Sequence, residues 1–272
     1  MNVDELGDRC KAMEMAEAGR KAMKGIPLLA RLDGRAFHTY TRGLKRPYDE
    51  GMSKTMQETT KALVEDMHAA VGYTQSDEIT LAWFVAADTL SRYPFDGRFQ
   101  KLTSVLAGLA STQFTLIAQQ LLPEKNGLLP HFDCRVWQVP SFAEAVEVFM
   151  WREADAVKNS ITMAASAYYS HKELHGVGSK DKHQMLFEKG VNWNHYPAFF
   201  KRGVYFQRRV FERPLTTQEI ESIPGPHRPA PGTLFKRSKV VDIELPPISK
   251  VKNIKDVLFL GEAPTTETQE AA

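Results

Sequence analysis

The stretch IPLLARLDGRAFH, residues 26–38, places a mostly apolar run directly before an aspartate and a glycine. A short apolar run that is bounded by a turn signal is typical of a buried strand, so we predict a strand over residues 26–32. Asp33 would then stand at the end of a core strand. A carboxylate contributes little to packing there, but it is well placed to hold a cation.

The stretch GYTQSDEITLAWF, residues 72–84, presents the same features in reverse order. The acidic pair Asp77 and Glu78 comes first, and an apolar strand follows it. If the two strands are neighbours, Asp33 and Asp77 face one another. Adjacent carboxylates repel unless a cation lies between them. Magnesium binds carboxylate oxygens, and a backbone carbonyl such as that of Gly34 can complete its ligand set. Two such ions about 3.5 to 4 Å apart can activate a hydroxyl and bind a leaving pyrophosphate.

Several cationic side chains lie near this acidic pair in the sequence, and they could hold phosphate groups. They are Arg31, Arg35, Lys45, Arg46, Arg98 and Lys101. Together the two charge types suggest a metal–nucleotide substrate. The alternative is structural, with Asp33 and Asp77 capping turns and pairing with nearby arginines, and the residues alone leave both interpretations open.

The order of predicted elements favours an α/β (α+β) fold with a mostly antiparallel sheet packed with helices, since the connection at residues 72–76 is too short for a parallel crossover. Helices are predicted over residues 2–23, 51–71, 98–122, 141–174 and 181–187. Asp49 is predicted to cap the second of these and Ser141 the fourth. Further strands are predicted over residues 131–139, 201–213 and 235–247, so the C-terminal half adds both helices and strands.

Composition excludes some classes of site and leaves others open. The 272 residues are 43% apolar, enough for one large or two small domains, and a net charge of +2 does not by itself indicate a nucleic-acid-binding protein. Two cysteines, Cys10 and Cys134, form no CxxC motif, so we expect free thiols and no thiolate zinc site. With no apolar leader at the N-terminus, we expect a cytoplasmic protein.

Three other features have competing interpretations. HKELH, residues 171–175, has the spacing of two zinc ligands on a helix, but a solvated or RNA-facing helix end is favoured. Asp133 could form a third acidic site, although an ion pair with Arg135 is the simpler expectation. Trp151 and Trp193 could stack on bases, and we expect both to be buried instead.

A set of motifs in fixed order identifies a family. LARLDGRAFH, KRPYD, YTQSDEITL, HFDCRV, FMWREADAVKNSI, SHKELH and EKGVNWNHYP, between residues 26 and 209, resemble the tRNA(His) guanylyltransferase-like family of 3′-to-5′ nucleotide polymerases. The resemblance is closest to its shorter, bacterial-type branch. It implies a palm domain like that of conventional polymerases and nucleotide cyclases.

The resemblance also assigns roles to individual residues. It implies two magnesium ions held by Asp33, Asp77 and the carbonyl of Gly34, with Asp33, Asp77 and the neighbouring acid Glu78 as catalytic residues. The positions implied to hold the nucleoside triphosphate are Asp33, Gly34, Arg35, Ala36, Phe37, His38, Arg46, Asp49, Ser76 and Asp77. Those implied to handle the triphosphate or the tRNA 5′ end are Arg31, Arg98, Lys101, Asn159 and Lys172.

The chain departs from the family at one motif. Where the eukaryotic branch has HINxxYN, residues 157–163 read VKNSITM, so only Asn159 is kept. This favours template-directed repair of 5′-truncated tRNA, with GTP or another NTP as the added nucleotide and ATP as activator, over strict addition of guanosine to tRNA(His). A non-catalytic RNA-binding protein is the alternative from another class.

The resemblance further implies a homotetramer. We expect a catalytic core with an N-terminal helix over residues 1–140, a tRNA-contacting part of the same unit over residues 141–262, and a disordered acidic tail over residues 263–272.

Overall fold

A single antiparallel sheet organises the protein. The computed structural model describes residues 3–230 and 232–266, and its six strands in that range pair in the order β4–β1–β3–β2–β5–β6. They are β1 (Leu28–Gly34), β2 (Val71–Gln75), β3 (Glu78–Trp83), β4 (Phe132–Gln138), β5 (Val204–Pro214) and β6 (Leu234–Ile243). Each neighbouring pair is antiparallel, which confirms the predicted sheet.

Helices cover both faces of the sheet. They are α1 (Val3–Ala18), α2 (Phe37–Tyr40), α3 (Glu50–Asp66), α4 (Phe99–Leu121), α5 (Phe142–Ser166), α6 (His171–Leu174), α7 (Ser179–Glu188), α8 (Ala198–Arg202), α9 (Thr217–Glu221) and α10 (Ile254–Leu260). Asp49 caps α3 and Ser141 caps α5, each through its side-chain oxygen, as predicted. In the described ranges no helix has the length and apolar character that crossing a bilayer needs.

The alternation of side chains along β1 assigns its two faces. Leu28, Ala30 and Leu32 belong to the core formed with α3 and α4, whereas Leu29 belongs to the core formed with α5 and α10. Successive strand residues point to opposite faces, so Arg31 and Asp33 share the α5 side of the sheet. The polar residues of β1 therefore lie between the sheet and α5.

The region around Gly72 differs from the prediction. The helix expected to reach Val71 ends at Asp66, and residues 71–75 form β2, so β2 and β3 make a hairpin. Gly72 is needed for packing and not to end a helix: a Cβ there would lie 2.5 Å from Cγ2 of Val64. Ser76, with φ of 49°, and Asp77 make the turn of this hairpin.

Other boundaries also shift. The N-terminal helix ends at Ala18, and the helix expected to reach Leu174 breaks after Ser166, since Ser170 forms a capping box that opens α6 separately. In the predicted tail, the amide of Thr265 donates to Oδ1 of Asn253 over 2.8 Å, so residues 263–266 are bonded to the body. The rest of that prediction, residues 267–272, lies outside the described residues.

Candidate active site

The end of β1 meets the β2–β3 turn, as the sequence predicts. In the antiparallel pairing of β1 and β3, Asp33 lies opposite Glu78, and the next amide, that of Gly34, donates to the carbonyl of Asp77 over 3.1 Å. The two strands are therefore neighbours. The cross-strand partner of Asp33 is Glu78, however, and Asp77 lies one residue further, in the turn.

Asp77 is a half-buried acid with little compensation. Burial raises the pKa of its carboxyl and the charge of Asp33 raises it further, while the Ser76 hydroxyl, which donates to Oδ1 over 3.0 Å, and His38 oppose the rise. Among the described residues no Lys or Arg forms an ion pair with Asp33 or Asp77. A divalent cation would supply the missing positive charge.

The protein groups at this position would supply only part of the coordination shell of a metal ion, with substrate and water supplying the rest. In the described part of the chain no three His, Cys, Asp or Glu side chains form a group that could hold a metal ion. Magnesium is usually bound by one or two carboxylates, with substrate phosphates and water completing its shell. Two carboxylates beside a glycine carbonyl match that pattern.

Glu78 has a different environment from Asp77. Both of its carboxylate oxygens accept from Arg152, with Nη2 at 2.8 Å from Oε2, and Nε of Arg31 lies 4.0 Å from Oε2. Burial raises the pKa of Glu78 and Arg152 opposes that rise. Both carboxylate oxygens of Glu78 are therefore occupied by Arg152, and the catalytic role implied by the resemblance stays a prediction.

A polar chain along α5 links Glu78 to the predicted site. Nη2 of Arg152 also donates to Oδ2 of Asp155 over 3.1 Å, and Nδ2 of Asn159 donates to the same oxygen over 3.1 Å. Arg152 and Asp155 are absent from the sequence prediction. Arg152, Asp155 and Asn159 are spaced by three and then four residues, which places all three on one face of a helix. This spacing is the sequence signal from which the polar chain could have been predicted.

A cleft of about 730 Å³ opens beside Asp77. Nine residues predicted to bind nucleotide or tRNA line it: Gly34, Ala36, Phe37, His38, Arg46, Asp49, Ser76, Asp77 and Asn159. Lys45 adds a second cation beside Arg46. Other lining residues that sequence reasoning missed include Arg42, Tyr48, Ser53, Gln75, Thr162 and Ser166. The cleft thus has a mixed polar and apolar lining, carries cations and includes the Asp77 carboxylate.

The loop that forms one wall of the cleft is held by aromatic packing. The Phe37 ring lies 5.1 to 5.3 Å from the rings of Tyr40, Phe114 and Phe132. Gly34 makes room for it, because a Cβ at that position would lie 2.4 Å from Cδ2 of Phe37. The glycine after Asp33 is therefore required by packing, and the loop is rigid where it meets β1.

Some predicted residues lie away from the cleft. Asp33 and Arg35 do not line it, and Lys172 is exposed on α6. Arg98 and Lys101 lie at the first turn of α4, whereas the last turn, at Leu121, meets Gly51 next to the cleft. Since α4 has 23 residues, its ends lie about 33 Å apart. Within one chain, Arg98 and Lys101 do not reach a triphosphate in the cleft.

The structure also bears on the three sequence features that had competing interpretations. Arg135 lies 3.7 Å from Asp133, the predicted ion pair. The rings of His171 and His175 have centroids 6.2 Å apart, and the described residues supply no third ligand beside them, so the zinc alternative gains no support. Trp193 is half-buried and donates to the Ser160 hydroxyl, but Trp151 is exposed, so its predicted burial is wrong.

Known proteins resemble this chain in both sequence and fold. The tRNAHis guanylyltransferase family profile matches residues 8–140. The structure of a bacterial tRNA(His) guanylyltransferase-like protein in complex with ATP is 37% identical, with a TM-score of 0.69, over 74% of this chain and 88% of that one. The chain belongs to the tRNA(His) guanylyltransferase-like family. It is accordingly a nucleotidyltransferase, and the predicted palm-type fold is confirmed.

Two further relatives define the extent of the family likeness. A bacterial tRNA(His) guanylyltransferase-like protein in complex with GTP is 30% identical, with a TM-score of 0.68, over 90% of this chain and 94% of that one. The tRNA(His) guanylyltransferase of Saccharomyces cerevisiae is 28% identical over 67% of this chain and 82% of its own length. The family likeness therefore extends well beyond residues 8–140 to most of the chain.

Proposed function

We propose that this family member adds nucleotides in the 3′-to-5′ direction to the 5′ end of tRNA, using GTP or another NTP. The observation that carries the proposal is Asp77, a half-buried carboxylate without a Lys or Arg partner among the described residues, which faces a cleft lined by Lys45 and Arg46. A charge that is partly withdrawn from water without a partner costs folding free energy, so it is more readily explained by binding than by stability.

The residues at this end of the sheet have separable roles in the proposal. Asp33, Asp77 and the Gly34 carbonyl would hold magnesium, which when bound would lower the pKa of the attacking hydroxyl and neutralise charge on the leaving group. Lys45 and Arg46 would bind the triphosphate. The Arg152–Glu78 pair would fix the start of β3, and with it the position of Asp77.

The proposed chemistry joins two nucleotides through one phosphate. The 3′-hydroxyl of the incoming NTP attacks the activated 5′ phosphorus of the RNA. A new phosphodiester forms and either AMP or pyrophosphate leaves. AMP leaves when ATP has first adenylylated a 5′-monophosphate, and pyrophosphate leaves when the RNA already carries a 5′-triphosphate. Relatives in complex with ATP and with GTP support these two nucleotides as substrates.

Repair of 5′-truncated tRNA is the preferred form of this activity. The motif at residues 157–163 keeps only Asn159 of the eukaryotic pattern, and the bacterial-type structures are the more similar ones. Strict guanosine addition to tRNA(His) is the second candidate, supported by the yeast relative's name. The homotetramer, the cytoplasmic location, and the division into a core over residues 1–140 and a tRNA-contacting part over residues 141–262 belong to the same proposal.

The test compares RNAs and cations. The protein is incubated with magnesium, ATP and GTP and either a 5′-truncated non-His tRNA or full-length tRNA(His), and extension is read on a sequencing gel. We expect extension of the truncated tRNA up to the length its template dictates. Extension of tRNA(His) alone, by one guanosine, would favour the second candidate, and binding of RNA without extension of any substrate would refute both.

A matched pair of variants tests the cleft itself. We expect Arg46→Ala to raise the Kd for GTP about tenfold, as a lost charge-assisted phosphate contact does. Arg98→Ala removes the same charge at the far end of α4, and we expect the Kd to stay within about twofold. Equal weakening by both variants would contradict the assignment of the cleft as the triphosphate site in a single chain.

A further inference from the structure

Trp151 has an exposed aromatic ring that takes no part in the proposed nucleotide site. It lies on α5 and is 53% exposed, a large fraction for an indole. Trp151 does not line the cleft, and no ring–ring contact involves it among the described residues. An exposed indole of this kind needs a different explanation from packing.

Two arginines support the indole from one side. The Arg152 guanidinium carbon lies 4.4 Å from the Trp151 ring centroid, and that of Arg31 lies 5.5 Å from it. Both arginines also meet the carboxylate of Glu78, so both lie on the Glu78 side of the ring. The two cations hold the ring in place, and the 53% exposure of Trp151 shows that much of its surface is open to solvent.

The position of the Trp151 ring relative to Asp33 indicates which ligand the ring could contact. Arg31 precedes Asp33 by two residues on the same face of β1, a separation of about 7 Å. Along β1 the order is Arg31, Asp33 and then Gly34, which lines the cleft. Along α5 the order is Trp151, Arg152 and then Asn159, which also lines the cleft. Asp33 therefore lies between the cleft and the Trp151 ring.

An exposed cation lies near the ring, on the strand next to Arg31. Arg135 lies opposite Arg31 in the pairing of β1 and β4, and its side chain is 57% exposed. Its one ion-pair partner among the described residues is Asp133, over 3.7 Å. An exposed guanidinium beside an exposed aromatic ring matches the combination of phosphate contact and base stacking that single-stranded nucleic acid uses.

We propose that the exposed ring of Trp151 stacks on a nucleobase at the 5′ end of the acceptor RNA. The inference rests on the proposed function, because nucleotidyl transfer needs a second nucleotide on the other side of Asp33 from the NTP. Arg135 would contact a phosphate of the same RNA. The two substrates would then approach Asp33 from opposite directions along β1.

The experiment measures RNA binding apart from catalysis. The probe is a 5′-phosphorylated RNA hairpin with an unpaired nucleotide at its 5′ end, and its Kd is obtained by filter binding without nucleotide. We expect Trp151→Ala to raise this Kd about 5- to 100-fold, the range for one lost base stack, while the Kd for GTP changes less than about twofold. Trp151→Phe, which retains an aromatic face, should stay within about threefold of wild type.

Controls separate stacking from general surface effects. Phe187 on α7 is 55% exposed and does not line the cleft, so Phe187→Ala should bind the hairpin as the wild type does. If Trp151→Ala unfolds, Trp151→Gln provides a second variant with high helix propensity. Wild-type hairpin binding by a folded Trp151 variant would overturn the proposal. So would a change of oligomeric mass in light scattering with unchanged RNA affinity, which would assign the ring to contact with a second copy of the chain.

The same data separate this inference from the proposed function. If the wild-type protein binds the hairpin through Trp151 but extends no RNA, the proposed polymerase activity fails and the stacking site stands. If extension occurs and the RNA KM of Trp151→Ala equals that of the wild type, the stacking site fails and the polymerase activity stands.

Discussion

Two regions of the molecule each withdraw a carboxylate from water, Glu153 fully and Asp77 in part, and they surround it in opposite ways. In the β2–β3 turn, Asp77 accepts one hydroxyl, that of Ser76, and has no Lys or Arg partner among the described residues. In the middle of α5, Glu153 accepts from the Tyr205 hydroxyl over 2.9 Å and from the Ile248 amide over 2.8 Å. Burial raises the pKa of both acids.

The difference separates an acid that stabilises the fold from one that the proposed function uses. Glu153 ties α5 to β5 and to the segment before α10, and each of its oxygens has a donor. Buried polar groups in folded proteins are satisfied in this way. Asp77 lacks that compensation and borders a cleft. Glu78 is intermediate: it is buried as Glu153 is, but an arginine neutralises it.

The first prediction separates activity from stability at Asp77. We expect Asp77→Asn to reduce nucleotide addition a thousandfold or more, about 4 kcal/mol in transition-state stabilisation, because the metal would lose a ligand. The free energy of unfolding should be unchanged or higher, because a half-buried charge without a cationic partner is removed. Single-turnover extension assays and urea unfolding measure the two quantities.

Glu153→Gln serves as the control for this variant. It removes a buried carboxylate that does not line the cleft, so folded protein should extend RNA at the wild-type rate. Equal losses of activity in Asp77→Asn and Glu153→Gln would show that the two acids do not differ in the way the structure indicates.

The second prediction concerns the intermediate case, Glu78 and Arg152. We expect Arg152→Met to lower the free energy of unfolding by about 3 kcal/mol, because it leaves the buried Glu78 carboxylate without its main cation. Adding Glu78→Gln should recover part of that loss, since it removes the unpaired buried carboxylate, although Arg31 then loses its one ion-pair partner among the described residues. Urea unfolding of the two single variants and the double variant gives the coupling between the two side chains.

The activity of the double variant sharpens the comparison further. If Glu78 only positions Asp77, the stable double variant should keep measurable extension of RNA. Complete loss of extension in a folded double variant would support the catalytic role of Glu78.

Local sequence patterns predicted the central part of the site. A strand followed by Asp-Gly, and an acidic pair followed by a strand, each fix a turn at a known residue, so the meeting of Asp33 with the Asp77 turn followed once the strands were adjacent. The strand β2 was missed because apolar residues continue at helical spacing past Met67 and Gly72 resembles a helix stop. What decides that segment is contact with α3 and β5, which no local pattern contains.

Other features that the sequence does not predict also concern tertiary structure. The length of α4 places Arg98 far from the cleft, and its role at the triphosphate or the tRNA 5′ end stays a prediction. The exposure of Trp151 depends on whether another element covers that face of α5, and helical periodicity does not report this. The partners of Glu78 are hidden for the same reason, because Arg152 is 74 residues away in the chain.

The third prediction uses pH to probe Glu153. Because burial raises its folded-state pKa, the wild type has its full stability from this group below the ordinary value of about 4.5 and loses stability as the pH rises through the folded-state pKa. Glu153→Gln cannot ionise. At pH 4.5 we expect this variant to be less stable than the wild type by about 1 kcal/mol, since one hydrogen bond must rearrange.

The difference between the two proteins should then change with pH in one direction. As the pH rises above 4.5, the wild type loses stability from Glu153 and the glutamine variant does not, so the variant should approach or exceed the wild type. Taking the difference between the two proteins cancels the titration of every other group they share. Urea unfolding at half-unit steps from pH 4.5 to 8 measures it. A difference that stays constant over this range would show that the hydrogen bonds from Tyr205 and Ile248 stabilise the ionised carboxylate enough to cancel the effect of burial.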